Sequence, residues 1–217
     1  MTATRSRRVR ITAAVASVPP LLAGAGLTVG AGLQAGEGGY FGSGEHRFAS
    51  STAVLKTDEI QVGETTARAD DPMPDLGEVA RVKIVLAPSD PSVPVFVGIG
   101  PKDQVERYLR GVAHDRFVSA ELKPFRASFE RVAGAAPSAP AAQGFWGASS
   151  AGTGTRTLTW DKTKGPWSVA VVRLDGRPGL DVRAWVGLRF GFLLPAGLAA
   201  LAAGAVLLLV AAWPTRR

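Results

Sequence analysis

The chain has 217 residues, of which 46% are hydrophobic, and a formal net charge of +7. The excess positive charge lies at the two ends, because residues 36–188 contain 18 acidic residues against 6 lysines and 12 arginines, and 18 − 18 leaves no net charge. Nucleic-acid binding needs cations clustered on the folded part of a chain, so this distribution argues against a nucleic-acid partner. The absence of cysteine excludes disulfides, zinc-thiolate sites and a thiol nucleophile.

An apolar segment without charge follows four arginines near the N-terminus. Residues 11–33, "ITAAVASVPPLLAGAGLTVGAGL", are long enough to cross about 30 Å of hydrocarbon as a helix. They predict a first transmembrane helix, preceded by a basic cytoplasmic tail at residues 1–10. The alternative is a signal peptide cleaved near Leu33-Gln34-Ala35, but the length of the stretch favours an uncleaved anchor. Pro19-Pro20 is expected to kink or shorten the helix.

Between residues 34 and 188 the sequence is typical of a β-rich domain. Residues 34–50 are rich in glycine and predict a flexible stalk. Short runs then alternate apolar and polar residues with a period of two, as where Ile84 and Leu86 lie opposite Arg81 and Lys83. About seven strands are predicted, at residues 51–57, 78–86, 95–99, 124–132, 155–160, 167–172 and 180–186. The pattern predicts a mainly β, sandwich-like domain over residues 51–188 with one short helix.

The stretch "VFVGIGPKDQVERYL", residues 95–109, places two glycines between a strand and that helix. A phosphate cradle would use the free N–H groups of the first helical turn. Pro101 removes one of these groups, and Asp103 puts negative charge where a phosphate would lie. Gly98 and Gly100 therefore predict a structural corner, and we predict no cofactor.

A second apolar segment, residues 190–213, predicts another transmembrane helix before a cytoplasmic tail at residues 214–217. Because the N-terminal arginines favour the cytoplasm, the central domain is expected outside and both termini inside, in a multi-pass protein of the cytoplasmic membrane. The residues predicted to anchor the chain at the membrane interfaces are Trp185, Arg189, Trp213, Arg216 and Arg217.

Small residues recur at four-residue spacing in both apolar segments. They are Gly26 and Gly30 in the first segment and Ala196, Ala200 and Gly204 in the second. Such faces let helices approach closely, so they predict either pairing of helices or dimerisation with another copy of the chain.

Three groups of residues could carry chemistry or binding. His114-Asp115 with Ser119 could form part of a hydrolase site, but no nucleophile-elbow sequence is present, and we predict that the protein is not an enzyme. An acidic loop could bind calcium, although it lacks the EF-hand spacing, and a solvated loop is the simpler interpretation. Its acidic residues are Asp70, Asp71, Asp75 and Glu78.

Three tryptophans lie in the predicted domain outside its membrane-proximal strand. Trp146, Trp160 and Trp167 are expected to fill the core of the sandwich. The alternative is an aromatic platform for a ligand, with Phe145 and Trp146 as the candidate contacts.

Several longer strings resemble a family of actinobacterial two-pass membrane proteins with an extracytoplasmic β-rich domain. The strings are "GGYFGSGEHRFASSTAVL", "VFVGIGPKDQVERYLRGVAHD", "FWGASSAGTGTRTLTW" and "GPWSVAVVRLDGRPGLDVRAWVG". The resemblance implies the fold and the membrane topology, and it carries over no activity and no binding residue.

The leading functional prediction is a non-enzymatic, membrane-anchored domain that docks another cell-envelope protein. The second is a binding module for a small ligand or a cell-wall saccharide, and the third is an extracytoplasmic hydrolase. The expected partners are the lipid bilayer and either an envelope protein or another copy of the chain.

Overall fold

The computed structural model describes residues 2–36, 38–58, 60–62, 66–69, 80–161 and 165–213. The chain forms two compact units. One unit comprises the residues up to Phe41 and those from Arg189 onward, and the other is Gly42–Leu188.

The first unit is built on helices α1 (Thr2–Gly36) and α3 (Leu193–Ala212), which pack against each other along small residues. A Cβ added to Gly24 would lie 2.7 Å from the backbone nitrogen of Leu201, and one added to Gly204 would lie 2.5 Å from Cγ of Leu21. Early residues of α1 therefore meet late residues of α3, so the two helices run antiparallel. Glycine at these points allows the close approach that pairs helices within a membrane.

The helix faces turned away from this contact carry large apolar side chains. Leu22 and Val29 are exposed on α1, and Leu198 and Leu209 are exposed on α3. The Ile11–Gly36 segment of α1 and the whole of α3 are both long and apolar enough to cross a membrane. Small residues inside and large apolar residues outside are the arrangement expected when lipid surrounds a helix pair.

Two details of the helices differ from the sequence-based expectation. Helix α1 continues through Pro19 and Pro20, so the prolines do not shorten it, and a kink at this point stays a prediction. Gly204 lies in the helix contact, whereas a Cβ added to Gly26 would meet nothing within 4 Å. Pairing of the two helices within one chain is therefore present, and dimerisation through these faces stays a prediction.

The second unit is a β-sandwich. Its strands are β1 (Phe41–Ser50), β2 (Val54–Thr57), β3 (Ile60–Val62), β4 (Thr66–Ala69), β5 (Ala80–Pro88), β6 (Val95–Pro101), β7 (His114–Leu122), β8 (Phe125–Val132), β9 (Ala148–Gly152), β10 (Arg156–Asp161), β11 (Trp167–Arg173) and β12 (Leu180–Phe190). Helix α2 (Lys102–Tyr108) follows β6. The first sheet has the order β1-β12-β5-β10. The second has the order β3-β4-β7-β2-β11-β6-β9, with β8 paired to β7.

The main core lies between the two sheets. It contains Leu86 of β5 and Val182 of β12 from the first sheet, and Val97 of β6 from the second. Trp160 is buried in this cluster and Trp167 is partly buried against it, so these two tryptophans fill the core as expected. The predicted mainly β, sandwich-like fold with one short helix and two apolar end helices is confirmed.

A smaller apolar cluster covers the opposite face of the second sheet. Val105 of α2 and Leu109, which caps the end of the helix, pack on Phe96 and Val172 of the sheet. The central strands β2, β6 and β11 of the second sheet are thus buried on both faces, by the core between the sheets on one side and by α2 on the other.

All seven predicted strands are present, and the described residues also form β1, β3, β4, β7 and β9. The flexible stalk predicted at residues 34–50 is wrong from Phe41 onward, because this segment forms β1 in the first sheet. Its glycines serve close packing: a Cβ added to Gly42 would lie 2.5 Å from Nε1 of Trp185 on the neighbouring strand. Glycine in a strand often marks such a close approach.

Candidate functional site

Strand β6 alternates between the two faces of the second sheet. Val97 and Ile99 point into the core between the sheets. Phe96 points to the opposite face, which α2 covers. Gly98 and Gly100 share the face of Phe96, because alternate residues of a strand point the same way. The strand passes directly into α2 at Lys102, so a strand-to-helix corner is present, but it lies after Gly98 and Gly100, which are paired within β6.

The two glycines leave room for a pair of aromatic rings. A Cβ added to Gly98 would lie 2.6 Å from Cε1 of Phe96 and 2.8 Å from Cε3 of Trp146. A Cβ added to Gly100 would lie 3.0 Å from Cδ2 of Phe145. Ordinary carbon–carbon contacts are about 3.5–4.0 Å, so a side chain at either position would displace these rings. Gly98 and Gly100 thus leave a part of the strand surface free of side chains, and aromatic rings pack on it.

An aromatic cluster lies over the two glycines and consists of Phe145, Trp146 and Tyr108. The ring centroids are 4.5 Å apart for Phe145–Trp146 and 6.1 Å apart for Tyr108–Trp146. The indole N–H of Trp146 donates to the Pro140 carbonyl at 2.8 Å, and the Tyr108 hydroxyl donates to the Ser138 carbonyl at 2.7 Å. Burial raises the pKa of Tyr108 to about 12. The prediction that Trp146 fills the core between the sheets is wrong, because Trp146 lies half-buried with Phe145 in the smaller cluster on the other face of the second sheet. Phe145 and Trp146 as ligand contacts stay a prediction.

A network of charged side chains lies at the end of the same face. Lys56 of β2 is only 3% exposed. Its Nζ lies 3.0 Å from Oδ1 of Asp58 and 3.2 Å from Oε1 of Glu106 on α2. Ser168 of β11, fully buried, donates to Oδ1 of Asp58 at 2.8 Å, and Lys102 lies 3.6 Å from Oδ2. Two cations thus face two anions, and the network ties α2 to the sheet.

The carboxyl group of Asp58 is the centre of this network. Burial, the largest single influence, raises its pKa, but the contacts with Lys56, Ser168 and Lys102 together hold the pKa below the ordinary value. Asp58 is therefore ionised at neutral pH. Sequence reasoning missed the network, because Glu106 and Ser168 are far from Lys56 along the chain. The one local signal is a lysine inside the otherwise apolar strand "AVLKT".

The structure does not join His114, Asp115 and Ser119 into one site. Nδ1 of His114 lies 2.8 Å from its neighbour, the carbonyl oxygen of Val112. The carboxylate of Asp115 accepts a bond at 2.9 Å from Arg131, which lowers its pKa, while burial raises it. Ser119 lies farther along β7, beyond a bulge. The hydrolase hypothesis stays a prediction with no geometry that favours it.

The predicted membrane anchors occupy different settings. Trp185 lies over Gly42 and Gly187 of the first sheet and is half-buried. Arg189 is exposed near the end of β12, and Trp213 is exposed directly after α3. Arg216 and Arg217 lie outside the described residues.

The acidic loop considered for calcium also lies outside the described residues, with Asp70, Asp71, Asp75 and Glu78. In the part of the chain that the structure describes, no three histidine or acidic side chains come together as a metal site would require.

Comparisons with known proteins give little similarity. No family model and no curated protein matches the chain. A protein of Bacillus endospore appendages, which form disulfide-linked pili, has a TM-score of 0.26 and 6% identity, covering 68% of this chain and 92% of that chain. The Kashmir bee virus native virion at acidic pH has a TM-score of 0.24 and 8% identity, covering 51% of this chain and 46% of that chain. The SPBc2 prophage-derived protein YomS has a TM-score of 0.24 and 11% identity, covering 63% and 96%. At such TM-scores the similarities assign no function.

Proposed function

We propose that the chain is a two-pass protein of the cytoplasmic membrane that presents its sandwich outside and docks another cell-envelope protein. The membrane part is supported by the helix pair, which turns small residues inward and large apolar residues outward. The orientation is supported by the arginines at positions 5–10, because positive residues flanking a membrane helix favour the cytoplasm.

The docking part rests on the outer face of the first sheet. Arg81 of β5 contacts Asp161 of β10 at 2.6 Å, and Arg47 of β1 contacts Asp181 of β12 at 2.6 Å. These pairs lie across neighbouring strands, and the side chains of Arg47, Arg81 and Asp161 are 67%, 47% and 73% exposed. This face therefore carries exposed charges that are paired between neighbouring strands.

Such a face suits a folded protein partner with a polar surface. Arginine is enriched at protein interfaces, where its planar group can bond to two partners at once. Because α2 and the aromatic cluster cover the central strands of the second sheet, we place the partner on the outer face of the first sheet. We assign the partner to a domain of another envelope protein that presents alternating charges of its own.

A topology measurement tests the outside location. Ser150, a predicted loop position, lies within β9, so a better site for a single cysteine is Thr153, exposed in the bend between β9 and β10. In intact cells, a membrane-impermeant maleimide is expected to label Thr153→Cys without lysis. Labelling only after lysis would reverse the proposed orientation.

In-cell photo-crosslinking tests the docking face. A photo-reactive residue at Thr159 on the first sheet is expected to link one envelope protein, and the same residue at the exposed Ala142 on the opposite side is the matched control. Swapping one ion pair, with Arg81→Asp and Asp161→Arg together, keeps the pair but reverses the surface pattern. It should reduce the Thr159 adduct about tenfold, the loss of roughly one interfacial contact. Equal adducts at both positions, or no effect of the swap, would refute the docking face.

A second candidate, the binding module for a small ligand or a wall saccharide, is favoured by the half-exposed rings of Tyr108, Phe145 and Trp146. Rings grouped in this way can stack on the apolar face of a sugar. Saturable quenching of tryptophan fluorescence by soluble wall fragments, abolished by Phe145→Ala, would support it. Quenching that Phe145→Ala leaves intact would point away from this cluster.

A further inference from the structure

The last residue of strand β12 has an unusual hydrogen-bond partner. Gln34, near the end of α1, is 8% exposed. Its Oε1 accepts a bond from the backbone N–H of Phe190 at 2.7 Å, and its Nε2 lies 3.5 Å from the carbonyl oxygen of the same residue. A single side-chain amide thus serves both polar groups of one peptide residue, where a neighbouring strand or water would otherwise do so.

This arrangement matters because of where the strand ends. Helix α3 begins at Leu193, three residues after Phe190. A strand end in water needs no side-chain partner, because water satisfies its N–H and C=O groups. In a bilayer no water is available, and every backbone polar group has to be satisfied within the protein.

Aromatic rings surround the same point. The ring of Phe190 lies 6.2 Å from that of Phe41 and 6.1 Å from that of Phe192, between ring centroids. Arg189 precedes them and is exposed. Phenylalanine rings are apolar and favour the acyl chains, whereas the long side chain of a neighbouring arginine can reach the lipid headgroups. The cluster is also continuous in sequence with the apolar surface of α3.

We propose that the membrane-contacting surface extends past the helices to the end of β12. The rings of Phe41, Phe190 and Phe192 lie at the acyl-chain boundary of the outer leaflet, and the Gln34 amide replaces water at the Phe190 peptide. The occupant of this surface is the lipid bilayer. The inference rests on the proposed membrane-spanning role of α1 and α3.

Depth measurement by electron paramagnetic resonance tests the proposal in the full chain, which has no native cysteine. A nitroxide on Phe192→Cys in liposomes is expected to collide more with oxygen than with a polar nickel chelate. Leu198→Cys, on the exposed face of α3, and Thr153→Cys, on the sandwich, provide the lipid and water references. If Leu198 reports lipid and Phe192 reports water, this inference fails alone. If Leu198 also reports water, the proposed membrane anchoring fails.

Hydrogen exchange tests the role of Gln34 in the same liposomes. Gln34→Leu keeps the size of the side chain and removes the acceptor, so this peptide is expected to open more readily to the water at the headgroups. Exchange at the Phe190 amide should then quicken about tenfold, as for the loss of one hydrogen bond. Gln34→Glu keeps an acceptor oxygen and is expected to preserve the protection. Equal exchange in the wild type and in Gln34→Leu would show that the amide does not protect this peptide. The depth measurement stands independently if Gln34→Leu does not fold.

Discussion

Gly98→Ala tests whether the aromatic cluster sits on the sheet as tightly as the structure indicates. The new methyl group would lie 2.6 Å from a ring carbon of Phe96 and 2.8 Å from one of Trp146, so the rings must move by about 1 Å to restore ordinary contact. Overpacking of this kind costs about 1–3 kcal/mol. Replacing glycine in a strand returns about 0.5–1 kcal/mol by reducing the freedom of the unfolded chain. The difference between the two ranges is a net loss of up to about 2.5 kcal/mol, with a middle value a little above about 1 kcal/mol.

Thermal unfolding of the whole protein in mild detergent, followed by near-ultraviolet circular dichroism, measures this loss. For a chain of this size the melting temperature should fall by roughly 2–8 °C. The matched control is Gly144→Ala, because Gly144 is exposed and a Cβ there meets nothing within 4 Å. In a Trp146→Ala background the cost of Gly98→Ala should shrink, since the ring no longer blocks the methyl group. A Gly98→Ala protein that melts at or above the wild-type temperature would refute the packing argument.

Three further predictions concern buried charge, pH and the helix pair. Lys56→Met is expected to destabilise the sandwich by about 3 kcal/mol, because it leaves the Asp58 carboxylate buried without its nearest cation. Adding Asp58→Asn should recover part of the lost stability. An unchanged melting temperature in Lys56→Met would contradict the stabilising role of this network. Because the pKa values of Asp58 and Asp115 are lowered by folding, their stabilisation is present above the unfolded pKa of about 3.9 and is lost as pH falls through the folded values. Melting temperatures should therefore drop below about pH 4, more steeply in the wild type than in Asp115→Asn, and equal curves would count against this assignment. Gly24→Ala should lower the SDS fraction at which the helix pair separates, because its Cβ would lie too close to the backbone of α3. Gly26→Ala is the control and should leave this SDS fraction unchanged. Equal effects of the two substitutions would refute the helix contact at Gly24.

Strands could be predicted from the sequence where apolar and polar residues alternate regularly, and they were missed where the residues depart from this alternation. Strand β7 was missed because His114 and Asp115 are both buried although adjacent, and because a bulge interrupts the alternation after Phe117. Strand β1 was missed because its glycines suggest flexibility, whereas Gly42 gives room to a ring on the next strand.

The candidate site was predictable only in part, for a related reason. Phe145 and Trp146 could be chosen as candidate contacts because they are adjacent aromatic residues. The glycines on which they pack, Gly98 and Gly100, lie about 45 positions earlier in the sequence. The close contacts of α1 likewise include Gly24 rather than the predicted Gly26, because the choice depends on which face meets the second helix. Such contacts are set by tertiary packing, which local patterns do not contain.

The charge balance of the central segment bears on how a partner would be recognised. The equal numbers of acidic and basic residues in residues 36–188 correspond to contacts such as Arg81–Asp161 and Arg47–Asp181, in which opposite charges lie side by side. Fields of paired charges cancel within a short distance, and salt screens the remainder beyond about 10 Å. A partner of the proposed kind would therefore not be attracted from afar, and its selection would depend on short-range fit. This is adequate for two proteins held in the same membrane, because confinement to one surface raises their effective concentration without any long-range attraction.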